Sequence, residues 1–395
     1  MILAEIFSAA RTLYHVEIVP YRPEYLGELL SFLRAQFPAS PLKGDPSFFH
    51  WRFARNPLGS SLDHYHLAME NNRIAGQLGA IRDRIWANGR WLDCCWLVDL
   101  ILAPEHRGAR STAALRLFQA VMKKCPLLLV TGAGPKLFRF YKAMRWDYRE
   151  VSGTYFAIRR PGPLLAVARD AGETWPMLRP FLPLAGLAMT ALQSARRVRM
   201  GVEFELSRLD RFGEETDDLI ERALPSLPVT SHRSSLFLNW KFHQRPQGTH
   251  FAIAARRSGR PRIDGYMAVK IMERQPHARW GEIVDFLAEP GDSSVFRSLL
   301  DQATNIALEA DVDFLRLRCS LREHRDLLRA PYWIHRNRPV IDGTFFRTED
   351  AHLSRYLAEA PWHLTSLVSD RTDHGADEFA AHPQPALMAR AAASL

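Results

Sequence analysis

The sequence predicts an α/β protein, α+β-like in having a mixed sheet, with one fold laid down twice along the chain. Three observations carry that expectation. The first is the stretch from Val98 to Cys125, which opens as an apolar run holding one acid, Asp99, and stops at Pro104. It continues with Ala114, Leu115, Phe118, Val121 and Met122 at helical spacing, so it reads as a buried strand, a short basic loop and a helix. The second is the order of elements around it: strand, helices, meander, then strand–helix–strand–helix–strand, the order of a mixed sheet. The third is an internal repeat. Phe48, Trp51, Arg52, Phe53, Pro57 and Gly59 are answered by Phe237, Trp240, Lys241, Phe242, Pro246 and Gly248, at 240 − 51 = 189. Arg73-Ile74-Ala75-Gly76 returns as Arg262-Ile263-Asp264-Gly265, at 262 − 73 = 189. Val98-Asp99-Leu100 returns as Val284-Asp285-Phe286, with Pro104 answered by Pro290, at 290 − 104 = 186. Ala143 and Trp146 match Ala330 and Trp333, at 333 − 146 = 187.

The elements follow in order. His15–Val19 reads as a short strand and Glu24–Phe37 as a helix, with Tyr25, Leu29, Leu30, Phe32 and Leu33 mostly at helical spacing. Phe48–Phe53 precedes a turn at Asn56–Gly59. His64–Glu70 and Ile74–Arg84 form a hairpin about Asn71-Asn72. Trp91–Ala103 is the next strand, Leu127–Thr131 a short buried one, Lys136–Ala143 a short helix and Tyr148–Arg159 the last strand of the first copy. The domains expected are 1–159, a Pro-punctuated linker 160–200, a second copy 201–368 and a disordered tail 369–395. Trp51 and Trp240, at one position in both copies, read as core anchors rather than as stacking platforms for a sugar or base.

The 395 residues, 47% hydrophobic, suffice for two domains with real cores. A net charge of +9 favours anionic partners, among them a nucleotide-bearing cofactor, nucleic acid or an anionic membrane face. Cys94, Cys95, Cys125 and Cys319 have neither zinc spacing nor a disulfide framework, which fits a reducing cytoplasm. The dispersed histidines predict no metal. The N-terminus has no basic region before its apolar run and does not read as a signal peptide. The longest uncharged stretch of note, Pro180–Leu192, is too short to span a bilayer and is broken by Pro183 and Gly186. Gly186–Arg199 reads as a linker helix docked on a domain, with peripheral membrane contact through 180–199 as the alternative.

A strand, a tight basic loop and a helix start make an anion site, because free backbone N–H groups and the helix dipole point at the loop. Ser111 or Thr112 is placed to cap the helix. The stretch resembles the pyrophosphate-binding segment of the GNAT N-acetyltransferase superfamily, where a strand is followed by Arg/Gln-x-x-Gly-x-Gly/Ala and a helix. Arg107 matches the first position, and Arg110 and Thr112 stand at the two small-residue positions. The resemblance implies two tandem GNAT-like domains, each a mixed sheet flanked by helices. It implies that acetyl-CoA or another acyl-CoA is held by Ile101, Leu102, Arg107, Gly108, Ala109, Arg110, Ser111 and Thr112. Phe140-Tyr141-Lys142-Ala143-Met144-Arg145-Trp146 resembles the family's Phe-Tyr-x-x-x-Gly-Phe, which makes Tyr141 the proton donor to the departing thiolate; Arg145 stands at the glycine. Asp99 is the candidate base by analogy with an acid the family often carries on this strand. The alternative for Asp99 is a structural acid paired with an arginine, and its recurrence as Asp285 favours that alternative. The second copy's loop has no arginine and carries Glu289 and Asp292, of which Asp292, with Ser293, reads as a helix cap.

The function implied is acyl-CoA-dependent N-acyltransfer to an amine acceptor: an amino sugar, an amino acid or another small amine. Two alternatives stand beside it. One is a Fem-type transferase using aminoacyl-tRNA, which suits the basic charge and would give salt-sensitive tRNA binding. The other is a non-catalytic binding protein on an inactive GNAT fold.

Overall fold

The computed structural model describes residues 16–38, 40–107, 111–150, 153–170, 203–246, 249–272, 278–328, 333–336 and 343–368. Gly108, Ala109 and Arg110, the segment 180–199 and the tail from 369 lie outside the described residues.

The chain divides into two compact units. Unit 1 holds the chain up to Arg149 together with Gln244–Pro246 and Thr344–Glu359; unit 2 holds Glu150–His243, Gln247–Gly343 and the chain from Ala360. The first pass through unit 1 gives β1 (Glu17–Pro20), α1 (Leu26–Gln36), α2 (Pro46–Phe49, continued by a π turn His50–Ala54), β2 (His66–Glu70), β3 (Arg73–Ala87), β4 (Arg90–Leu102), α3 (Ala113–Met122), β5 (Leu127–Thr131), α4 (Pro135–Ala143) and β6 (Asp147–Glu150). Unit 2 follows with β7 (Gly153–Ile158), α5 (Pro161–Asp170), β8 (Phe204–Leu209), α6 (Glu214–Ala223), β9 (Val229–Ser231), α7 (Ser235–Phe242), β10 (Thr249–Arg257), β11 (Gly265–Ile271), β12 (Trp280–Ala288), α8 (Ser293–Glu309), β13 (Phe314–Cys319), α9 (Arg322–Leu327) and β14 (Trp333–Arg336). The chain then supplies unit 1 with β15 (Gly343–Thr348) and α10 (Ala351–Glu359), and unit 2 with β16 (Trp362–His363).

Local chemistry starts and stops these elements in matching ways. The Asp45 carboxylate accepts from the Phe48 amide at 2.8 Å to open α2, and the Ser234 hydroxyl accepts from Phe237 at 3.3 Å to open α7. The β2–β3 turn carries Asn71 and Asn72 at φ 49° and 61°, and the β3–β4 turn carries Asn88 and Gly89 at 52° and 74°, the left-handed pairs that tight hairpins require. Trp51 and Trp240 are buried, and the Arg245 guanidinium lies 5.4 Å from the Trp51 ring and 5.5 Å from Phe48.

Unit 1 is a mixed sheet in the order β1-β2-β3-β4-β5-β15-β6, and unit 2 one in the order β14-β7-β13-β12-β11-β10-β8. Leu78, Ala80, Leu97, Leu128 and Val130 of the first sheet pack with Leu117, Phe118 and Val121 of α3. Their counterparts in unit 2 are Met267, Val269, Ile283 and Leu317 against Val295, Phe296, Leu299 and Ala303 of α8.

The sequence reads Tyr148–Arg159 as one closing strand. The structure divides it into β6 and β7, and β7 pairs antiparallel with β13 of the second copy, Tyr155 opposite Leu317. In return β15 pairs antiparallel with β5 of the first copy, Phe345 opposite Val130. Each sheet is therefore completed by a strand from the other copy. An apolar period-two pattern fixes which face of a strand is buried, not which open edge it joins.

Candidate functional site

The site is built where β4 leaves β5. The two are parallel neighbours at Cys95↔Leu128 and Trp96↔Leu129, and among the described residues their pairing ends there, although β4 runs on to Leu102 and β5 to Thr131. The cause lies on the other side of β4. Gly79 faces Val98 and Gln77 faces Ile101, so Leu78 alone faces two residues, Asp99 and Leu100. This is a β-bulge, which bends a strand and increases its local twist. Asp99 takes φ 57°, left-handed backbone that a non-glycine residue adopts only when its surroundings hold it there.

The surroundings of Asp99 are specific. Its buried carboxylate accepts from Arg52 Nη1 at 2.6 Å and from Lys43 Nζ, and its carbonyl accepts from the Gln77 side-chain amide. Lys43 sits two residues before the Asp45 cap. Arg52 lies on the π turn after α2 and is 1% exposed. The alternative of a paired structural acid thus describes the observed geometry, with two cations rather than one arginine. Lys43 and Gln77 were not singled out by the sequence reading. The signal that could have found a partner was the basic residue after each repeated tryptophan, Arg52 and Lys241.

Past Trp96, the backbone of 97–102 includes Ile101, half-buried, and Leu102, buried. Among the described residues no strand pairs with β4 past Trp96 on its β5 side, the condition under which an extended ligand carrying amides can bind as a strand would. Arg107 follows a 3-10 turn at Pro104–His106 and turns back, its Nε donating to the Leu102 carbonyl at 2.7 Å and its Nη2 to Gln36 Oε1 at 2.5 Å. It ties the root of the loop to the end of β4. Of the two caps expected, Ser111 acts, its hydroxyl accepting from the Ala113 amide at 3.3 Å, while Thr112 gives the first turn of α3 no side-chain bond.

The equivalent loop of unit 2 is chemically spent. Asp292 caps α8 by accepting from the Ser294 amide at 3.0 Å and also pairs with Arg257, while Glu289 pairs with Arg222 at 3.1 Å and Arg262 at 3.6 Å. Beside this loop lies a cleft of about 80 Å³ lined in part by Leu287, Pro290, Leu321, His324 and His363. Burial pushes the His324 imidazole down to about 4 and that of His363 well below the usual range.

Tyr141 lies on α4, 2% exposed, in an aromatic cluster with Trp146 at 5.0 Å, Phe345 of β15 at 5.1 Å and Phe118 at 5.5 Å between ring centroids. The helix ends in a Schellman-type cap: Arg145 takes φ 57°, and the Trp146 amide donates to the Tyr141 carbonyl at 3.0 Å. Arg145 therefore adopts the backbone conformation for which a glycine is the easy choice.

No family model matches the sequence, and no curated protein matches it. Solved structures do. The chain is similar to a GCN5-related N-acetyltransferase from Anabaena variabilis (TM-score 0.54, 14% identity, covering 84% of this chain and 72% of that one). It is similar to a conserved protein of unknown function from Enterococcus faecalis described as a probable N-acyltransferase (0.55, 13%, 85% and 73%). It is also similar to Saccharomyces cerevisiae N-myristoyltransferase with bound myristoyl-CoA (0.54, 12%, 85% and 82%). Over most of its length, then, the chain has the fold of the GCN5-related N-acetyltransferases and N-myristoyltransferases.

Proposed function

We propose that the chain is an acyl-CoA-dependent N-acyltransferase whose acyl-CoA site lies in unit 1 and whose acceptor is a small amine such as an amino sugar or an amino acid. One observation carries the reading: among the described residues the pairing of β4 with β5 ends at Trp96, ahead of the Asp99 bulge, while β4 runs on to Leu102. When bound, an acyl-CoA supplies an activated thioester carbonyl. Ile101 and Leu102 would hold its extended arm through backbone amides. Arg107, Ser111, Thr112 and the first turn of α3, where Ser111 engages only the Ala113 amide, would meet its phosphates, and the resemblance assigns Gly108, Ala109 and Arg110 to them as well. The amine must be neutral to attack, and the departing sulfur needs a proton. Tyr141 Oη is the group we assign to give that proton. Unit 2 lacks this equipment, since the acids of its loop are tied to arginines and Asp292 occupies its helix start. We read the setting as a reducing cytoplasm, which suits four buried cysteines.

Calorimetric titration of acetyl-CoA, then of longer acyl-CoAs, into the wild-type protein and Arg107→Ala tests the reading. The wild type should bind, and the variant should bind roughly ten- to a hundredfold more weakly, because a charged hydrogen bond at the loop root contributes about 1.5–3 kcal/mol. A wild type that binds none of these thioesters would overturn it and turn attention to charged tRNA.

A further inference from the structure

We propose that Asp99 is a positioning residue and not a proton acceptor: with Lys43, Arg52 and Gln77 it locks the bulge that parts β4 from β5. The consequence for acyl-CoA rests on the function proposed above; the lock itself does not.

The geometry makes the case from both ends of the residue. Its backbone is held left-handed at φ 57° and its carbonyl is taken by Gln77. Its carboxylate meets two cations that approach from different elements, Lys43 from the turn Pro41–Gly44 and Arg52 from the segment after α2. Arg34 Nη1 of α1 donates to the Gly44 carbonyl at 2.9 Å, which fixes the Lys43 segment in turn. A general base must offer a lone pair to its substrate, whereas a carboxylate between two buried ammonium and guanidinium groups is engaged as their counter-ion.

Unit 2 repeats the device without the chemistry. Asp285, the counterpart of Asp99, stands in register opposite Ala268, next to Val284, the residue that the β11–β12 ladder leaves unmatched between Ala268 and Val269. It is fully buried and accepts from Arg233 Nε at 3.1 Å, Tyr266 at 2.6 Å and Thr365 at 2.7 Å. Arg233 stands one residue before the Ser234 cap, as Lys43 stands two before Asp45. There too the parallel strand pair parts early: β12 matches β13 up to Ile283↔Leu317 and then runs on to Ala288. An acid kept in or beside a bulge of the corresponding strand, cation-paired in both units, including the one whose anion loop is spent, belongs to the architecture of that strand.

The test compares Asp99→Asn, the double variant Asp99→Asn/Lys43→Met, which keeps the net charge of the cluster, and Lys43→Met, which leaves Asp99 and Arg52 as a one-to-one pair and so remains foldable if Asp99→Asn is not. Hydrogen–deuterium exchange over residues 97–102 and 128–131 reads the lock directly, with no ligand present. Faster exchange there in the variants, by about tenfold, is expected; unchanged exchange would overturn the lock. Kinetics then divide the roles. Positioning predicts that KM and Kd for acyl-CoA rise about tenfold, with kcat at saturation within about threefold of wild type and both limbs of the pH–rate profile in place. A kcat lower by about a hundredfold, with Kd unchanged and the limb belonging to a base lost, would make Asp99 the proton acceptor and sink the proposal. If the wild type binds no acyl-CoA while the exchange still responds, the acyltransferase reading fails and the lock stands.

Discussion

At the scale of single residues, the argument turns on what burial leaves a group free to do. Tyr141 is enclosed by Phe118, Trp146 and Phe345, a setting that accepts phenylalanine in its place without a cavity. Tyr141→Phe should leave acyl-CoA binding as it is and lower kcat by roughly a hundredfold, the usual worth of a positioned acid; binding by calorimetry and turnover by thiol release separate the two. His324 and His363 give a second expectation with a defined sign. Both are buried in unit 2, where His324 lies 4.5 Å from the Phe296 ring and 6.2 Å from His363, and burial lowers both below the ordinary value of 6.5. The folded state therefore binds fewer protons than the unfolded one. The stability they allow is fully present above pH 6.5 and is lost as pH falls towards about 4, where His324 titrates in the folded protein. At pH 5 His324 alone should cost about 2 kcal/mol relative to pH 7. Urea midpoints at the two pH values measure this, and His324→Gln should flatten the difference. An equal midpoint at both would mean that the imidazole is not desolvated.

At the scale of elements, the end of α4 shows how a departure from an expected motif is absorbed. Arg145 replaces the glycine that a left-handed helix terminus favours, yet the backbone is left-handed all the same and the Trp146 amide closes the cap. The residual cost falls on Arg145, so Arg145→Gly should raise stability by about 0.5–1 kcal/mol, seen as a higher urea midpoint with unchanged slope. A fall would show that the Arg145 side chain contributes more than its backbone costs. The same contrast explains what could be read from the chain in advance. The turn at Asn71-Asn72 is set by residues within a few positions of one another, and the sequence places it; the helix starts at Asp45 and Ser234 are equally local. The bulge at Asp99 is not such a feature. It exists because Leu78 faces two residues of β4, a relation between strands twenty residues apart, and because Lys43 and Gln77 converge on it from elsewhere. The acid in an apolar run was visible, but its partners were not, since a buried charge demands a counter-ion without saying where along the chain to find it. Tyr141 was legible as a position and not as an environment, because one of the three rings that enclose it, Phe345, arrives on β15.

At the scale of the whole molecule, the repeat in the sequence suggests two domains that end where each copy ends, and the strand exchange sets that aside. β5 is flanked by β4 and by β15 from the other copy, and β13 by β12 and by β7 from the other copy. Matching apolar patterns make the two closing strands equivalent candidates for either edge, so no local signal distinguishes exchange from self-completion. The energetic consequence is large. Removing β15 takes Phe345 and Phe346, both buried, together with the pairing of Leu127–Thr131. Each such phenylalanine contributes about 3–5 kcal/mol, against a total stability of about 5–15 kcal/mol for a domain. A chain cut after residue 200 should therefore yield two halves that fail alone: 1–200 with the β5 edge bare, 201–395 with the β13 edge bare, each an apolar strand open to aggregation. Co-expressed, the halves should recover a soluble complex with the amide protection of the intact chain, because every strand then has its partner again. A cooperative melt from either half by itself would mean that a copy can close on its own last strand, and that the exchange is one of two accessible pairings rather than the one the fold requires.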